Sequence, residues 1–221
     1  MMPRLIRVAI LSMVLSLPTP QLVGEEKVKE TSFYPLQVGT TWHYRRGESK
    51  FTVRVVKHEK VGDVPCALLE SKCDGKVGGR EHLAVKDNGV YRYDVSSLFK
   101  SDKPRLKTKE GEVFHTQTLK PPMLVLKLPP KKGDDWKIVS QGEVEVFRGS
   151  FKVDEEQEIA VPAGKFKAFR VVARDVEGTA LSPAPVITSF YAEGVGMVKQ
   201  LIEIGDAKTE IVLEKFEAAG K

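Results

Sequence analysis

The sequence predicts an all-β protein: one large curved antiparallel sheet or half-open barrel, built from two duplicated multi-strand units. Three observations carry this expectation. Apolar residues recur with period two along most of the chain, turn residues punctuate those runs at short intervals, and a Gly-x-x-Trp motif occurs twice in similar surroundings. Of the 221 residues, 29% are charged and 41% hydrophobic, enough to bury a core and too apolar for a disordered chain. No apolar run approaches the roughly 20 residues of a membrane-spanning helix.

The chain begins with Arg4 and Arg7 ahead of an apolar run from Val8 to Leu17, then Pro18, Pro20 and the small residue Gly24. That order of charge, apolar stretch and small residue is the layout of a secretory signal peptide, expected over residues 1–24. At 1.5 Å per residue the run makes roughly 15 Å of helix, about half a bilayer core, so export is expected rather than anchoring. No transmembrane span is expected after cleavage, although Leu22 departs from the small-x-small pattern at the cut. Without the leader, 33 basic residues face 30 acidic ones, a balance too even to argue for an anionic partner. The densest basic stretch, Lys100 to Lys109, is broken by Pro104 and lacks aromatic residues for base stacking, so it reads as a solvated loop and no nucleic acid is expected.

Residues 25–221 are expected as a single β domain, with a first unit over about 33–94, an insertion over about 95–122 and a second unit over about 123–216. The first unit opens on Tyr34-Pro35-Leu36-Gln37-Val38-Gly39-Thr40-Thr41-Trp42, where Gly39 supplies the turn and Trp42 the large ring under the sheet. Phe51, Val53 and Val55 then alternate with Thr52 and Arg54, and Leu83 and Val85 with Ala84 and Lys86. Asp87-Asn88-Gly89 is a hairpin signal, because Asn and Gly tolerate positive φ. The insertion has few large apolar residues beyond Leu98, Phe99, Leu106 and Phe114, and is expected to be mobile or to lie as a flap over the sheet. Pro121-Pro122 marks the return to Leu124, Leu126 and Leu128, which alternate with Val125 and Lys127. The second unit repeats the opening motif as Pro129-Pro130-Lys131-Lys132-Gly133-Asp134-Asp135-Trp136, followed by Phe151-Lys152-Val153. Val161-Pro162-Ala163 matches Val64-Pro65-Cys66, and Gly194-Val195 matches Gly89-Val90. If the units are equivalent, both indoles are buried at corresponding positions, each near the late Gly-Val strand of its own unit; chance matching of common turn residues is the alternative. Gly205-Asp206 is expected to close a hairpin between Met197–Ile204 and Thr209–Phe216, although the last segment also tolerates helical spacing.

These motifs resemble a family of exported bacterial β-rich proteins of unknown function. The likeness rests on Phe33-Tyr34-Pro35-Leu36 with Gly39 and Trp42, Leu126-Lys127-Leu128-Pro129 with Gly133 and Trp136, Val161-Pro162-Ala163-Gly164-Lys165-Phe166, and Phe190-Tyr191-Ala192-x-Gly194-Val195-Gly196. It implies a fold more than a site. The architecture also resembles the half-open barrels of periplasmic lipoprotein carriers, by analogy alone.

The chemistry-bearing residues do not assemble into a catalytic motif. His43, His58, His82 and His115 lack metal-binding spacing and are expected at the surface, and Ser96, Ser97 and Ser140 lack the context of a nucleophile elbow. Asp154-Glu155-Glu156-Gln157-Glu158 reads as a solvated strand edge or loop. Gly194-Val195-Gly196 reads as a turn or bulge crowded against Tyr191 rather than a dinucleotide loop. Cys66 and Cys73 form a disulfide only if the chain between them folds back, since seven extended steps span roughly 23 Å against the 4.4–6.8 Å a bridge allows. No cofactor and no catalytic or metal site is expected. The leading expectation is an exported, non-enzymatic binding or interaction module that meets an envelope or extracellular component. The alternative is a carrier of an apolar, lipid-like small molecule in the concave face, with Trp42, Tyr44, Phe51, Tyr91, Tyr93, Trp136, Phe169 and Tyr191 as ligand-facing or core aromatics. A hydrolase built from scattered acids and histidines is the third class.

Overall fold

A computed structural model describes residues 28–99, 113–143, 146–177 and 183–220. The expected signal peptide, and the part of the expected insertion from 100 to 112 with its basic stretch, lie outside the described residues. Among the described residues the architecture is all-β, with twelve strands: β1 (Thr41–Arg46), β2 (Ser49–Val61), β3 (Val64–Cys73), β4 (Lys76–Lys86), β5 (Gly89–Phe99), β6 (Val113–Lys127), β7 (Asp135–Gln141), β8 (Val146–Val161), β9 (Gly164–Glu177), β10 (Val186–Ala192), β11 (Gly196–Ile204) and β12 (Ala207–Glu217). Each pairs antiparallel with its neighbours in sequence, and β1 pairs with β12 to close the barrel. The predicted curved sheet thus closes completely, because the first strand finds the last and no edge remains.

Period-two alternation places the core inside. Val55, Leu69, Leu83, Val90, Leu126, Val153 and Leu213 point inward and are almost fully buried. Charged pairs cross between strands on the opposite face, among them Arg45–Glu214 at 3.0 Å, Arg80–Glu70 at 2.8 Å and Arg170–Asp154 at 2.7 Å. An outer wall so charged is not the apolar band that a membrane barrel turns toward lipid. The acidic run at Asp154 to Glu158 lies within β8, paired to β9 on one side and past the last β7 register pair, Asp135 with Lys152, on the other, so it is an exposed strand edge rather than a loop. A bulge between Val153 and Glu156 absorbs one residue of it.

The two Gly-x-x-Trp segments have one local geometry. Gly39 N donates to Val55 O at 2.8 Å and Val55 N to Thr40 O at 3.0 Å; Gly133 N donates to Val153 O at 2.9 Å and Val153 N to Asp134 O at 2.8 Å. Both glycines have positive φ, 101° and 90°, which explains the residue type. The Val-Pro segments are not counterparts, since Val64-Pro65 opens β3 after its turn whereas Pro162-Ala163 forms the turn before β9.

Neither indole bonds to the late Gly-Val strand of its own unit. Trp42 Nε1 donates to Val195 O at 2.6 Å, and Trp136 Nε1 to Leu124 O at 3.1 Å, on the strand that pairs with β5. Trp42 meets the β10–β11 turn across the closing β1–β12 pair, whereas Trp136 meets β6, the neighbour of its own strand in sequence. The β6–β7 side of this arrangement has one backbone register pair, Lys120 with Gln141. Pro121 and Pro122 have no N–H to donate there. Side chains supply the missing links: Ser140 Oγ donates to Pro121 O at 2.6 Å and Lys127 Nζ to Asp135 O at 2.7 Å, beside the Trp136 bond.

The flap expectation is corrected for the described part of the segment. Residues 95–99 continue β5 and Val113 to Pro122 belong to β6, paired with each other in the wall. Polar residues on the outer face of a barrel strand lower the apolar content of such a stretch, which is what the flap reading took for a loop. At the β4–β5 turn the positive φ falls on Asp87 (51°), and Lys86 pairs with Gly89. Gly89 is favoured by closeness instead: a Cβ there would press on Leu124 Cδ1 and stand 3.1 Å from Tyr91 Cε2 and 3.2 Å from Leu126 O. Gly205-Asp206 closes the β11–β12 hairpin as expected, and the last segment is a strand.

Candidate functional site

An eight-stranded barrel is about filled by its own side chains; twelve strands enclose more room than ordinary side chains occupy. At one end aromatic residues take up that space. The stretch from Val28 to Thr40 crosses this end, with Leu36 O accepting from His58 Nε2 on β2 at 2.7 Å and Phe33 meeting the Phe169 ring on β9 at 6.0 Å. Gly194 N donates to Ser32 O at 2.7 Å, and a Cβ on Gly196 would lie 3.7 Å from Trp42 Nε1, so this turn is crowded by Trp42 and the crossing stretch. Tyr34 packs between Trp42 at 6.1 Å and Tyr191 at 6.3 Å, and Tyr44 stacks on Phe51 at 5.4 Å. Tyr44 Oη donates to Met197 O at 2.7 Å. Burial raises the Tyr34 and Tyr44 hydroxyls well above the usual tyrosine range and Tyr191 to about 12, so all three remain protonated donors.

Beyond the tyrosines the lumen opens into a cavity of about 270 Å³ walled largely by apolar side chains, including Val95, Met123, Ile138, Phe151, Val171, Ala173 and Ile187. Arg92 and Tyr191 stand at it, and Gln200 Nε2, donating to Ser189 Oγ at 3.0 Å, adds a polar spot. Arg148 and Glu177, an exposed ion pair at 3.2 Å, also line it, near the ends of β8 and β9 remote from the aromatic closure. A second cavity, of about 300 Å³, lies among Val53, Leu69, Gly79 and Glu81 and shares Arg92 and Val95 with the first.

Arg92 is the unusual residue of this lumen. Its Nε donates to Glu81 Oε2 at 2.6 Å. Burial works against its charge, and the adjacent Glu81 carboxylate outweighs that, so its pKa is raised. Of its side-chain surface, 27% is accessible although protein surrounds it, since that surface faces the cavities.

Of the aromatics singled out in the sequence, Trp42, Tyr44, Trp136 and Tyr191 are buried in the main core, with Phe51 and Phe169 packed against it. Tyr191 and none of the other seven lines the 270 Å³ cavity. Tyr91 and Tyr93 lie on the other face, in a small cluster with Cys66 and Ala84, so the inner-face expectation is corrected for them. The inward residue of that stretch is Arg92. Alternation from Val90, which is buried in the main core, decides this, since Val85 pairs with Val90 and Leu83 with Arg92; the bulge follows at Tyr93, where His82 pairs with Asp94, and turns Asp94 outward and Val95 inward.

The same bulge brings Asp94 to His82. His82 Nδ1 lies 2.8 Å from Asp94 Oδ2 and Nε2 lies 2.9 Å from Glu59 Oε1, and the ring is 16% exposed, so His82 is not the surface histidine expected. Burial opposes its charge, but the two carboxylates prevail and raise its pKa. Cys66 is buried, Cys73 exposed, and both thiols are free. They stand on one extended strand, β3, which does not fold back, so the disulfide option is closed.

No protein-family model matches the chain, and no curated protein matches it, so the family resemblance rests on the motifs alone. Two solved structures share an architectural likeness. A candidate lipoprotein from Parabacteroides distasonis is 12% identical, with a TM-score of 0.44 over 86% of this chain and 100% of that one. A candidate exported protein with a YmcC-like fold from Bacteroides fragilis is also 12% identical, with a TM-score of 0.47 over 84% of this chain and 98% of that one.

Proposed function

We propose that this is an exported, non-enzymatic binding protein that holds a small, mostly apolar molecule inside its barrel. The observation that carries the reading is the cavity of about 270 Å³ in the lumen, apolar along most of its wall. Barrel closure removes the open concave face that a macromolecular partner would need, which favours a small molecule over a protein at this site. Glu81 and Glu177, the carboxylates at these cavities, are each paired with an arginine, an arrangement for holding charge rather than for passing protons. Export rests on the leader-like start, and the two six-strand halves are read as copies of one unit on their matched Gly-x-x-Trp geometry.

Uptake of the neutral fluorophore N-phenyl-1-naphthylamine tests the reading, alongside native mass spectrometry of gently purified protein. The wild type is expected to bind the probe and to retain a small-molecule mass. Ala173→Phe, which fills the cavity from its wall, is expected to fold and to lose both. A wild type that binds no probe and retains no mass refutes the reading.

A further inference from the structure

The ligand class can be narrowed from the geometry of Arg92, an inference that rests on the lumen-binding reading above. A guanidinium presents five N–H donors in a planar fork. Glu81 takes the one on Nε, at 2.6 Å. Among the described residues, neither Nη1 nor Nη2 has a hydrogen-bond partner in the protein, and the side chain borders both lumen cavities. The four Nη N–H donors thus have no protein acceptor among the described residues, on a side chain that Glu81 holds at the cavity wall. The carboxylates at these cavities, Glu81 and Glu177, are already paired with Arg92 and Arg148.

We propose that the lumen takes a small amphiphilic anion whose carboxylate is gripped by the Nη edge of Arg92 while its apolar body fills the cavity beneath β8, β9 and β10. Arg–carboxylate pairing across two parallel N–H···O bonds is the strongest such arrangement available to the side chain. The charge balance also fits. Arg92 is neutralised by Glu81 when the site is empty, which makes a buried arginine tolerable, and the pair becomes a carboxylate–guanidinium–carboxylate triad when the site is filled. Size sets the second limit. A dry cavity of about 150 Å³ accommodates benzene, so 270 Å³ takes a body of roughly ten carbon atoms by the same ratio. A two-chain lipid exceeds that several-fold.

Calorimetric titration with decanoate and with decanol separates the head from the tail. The wild type is expected to bind decanoate at least tenfold more tightly than decanol. The Arg92→Gln/Glu81→Gln double variant, which removes the pair without leaving a lone buried charge, is expected to fold with a melting temperature near wild type and to bind the two compounds within about twofold of each other. Glu81→Gln alone removes the competing carboxylate and is expected to tighten decanoate while leaving decanol unchanged, an effect that a purely structural ion pair does not produce. Equal binding of decanoate and decanol by the wild type overturns the Arg92 assignment and leaves the lumen reading standing, as does binding of N-phenyl-1-naphthylamine with neither decyl compound. Failure of all three probes overturns both.

Discussion

Replacing each tryptophan by phenylalanine measures what holds the barrel closed. The ring is kept and the indole N–H is lost, so Val195 O loses its donor in Trp42→Phe and Leu124 O in Trp136→Phe. An unsatisfied buried carbonyl costs about 1–3 kcal/mol, and the smaller ring removes further apolar contact of about 1 kcal/mol. The expected loss is therefore roughly 2–4 kcal/mol for each variant, or a fall in melting temperature of about 4–16 °C for a domain of this size. Trp→Ala extends the loss to about 3–5 kcal/mol. Urea denaturation followed by circular dichroism gives the equilibrium values. The two variants should then part company in hydrogen exchange. Around Trp42, β1 keeps six register pairs to β12, whereas β7 has one to β6. Trp136→Phe is expected to speed exchange of the β7 amides well before global unfolding, and Trp42→Phe to leave β1 protected. Two variants within about 0.5 kcal/mol of wild type, or β7 amides as well protected as before, would refute the account of a side-chain-held seam.

Stability should depend on pH through His82. Its folded pKa is raised above the ordinary 6.5, so its contribution is complete at lower pH and is lost as pH rises through the raised value; His82→Asn should abolish that part of the profile in melts from pH 6 to 9. Glu59 runs the other way: lowered by its bonds to Lys57 and His82, it adds stability above the ordinary carboxylate range that fades as pH falls through the lowered value, and Glu59→Gln should flatten the acid limb. Gly89→Ala should destabilise by about 1–3 kcal/mol through overpacking, while Gly78→Ala, with nothing within 4 Å of its Cβ, should stay within about 0.5 kcal/mol; equal melts would contradict the packing. Cys73 should react with a thiol reagent in the native protein, and Cys66, buried and with its thiol pushed up to about 11, only on unfolding. Rapid labelling of both in native buffer would count against the placement of β3.

The sequence by itself determined the class of fold and the inner face of most strands. Phe51, Val53 and Val55, and Leu83 and Val85 obey the two-residue period because each strand is half-buried, and that period is a property of the extended backbone, whereas on β6 a bulge at Val125 breaks the expected alternation of Leu124 and Leu126 and puts Met123 and Val125 at the lumen. It also determined the two Gly-x-x-Trp turns, since Gly39 and Gly133 need a φ that other residues avoid. Tertiary structure alone decided the closure of β1 on β12, which sets Trp42 against Val195 in the β10–β11 turn. It alone decided the site as well. Arg92 and Glu81 have no sequence signature, being two charged residues in a hairpin full of charges, and the bulge at Tyr93 sets Val95 rather than Asp94 opposite Glu81 on the inner face. A bulge shifts the facing of every residue beyond it by one step, and its position depends on cross-strand register, which is fixed only once both strands and their far partners are in place.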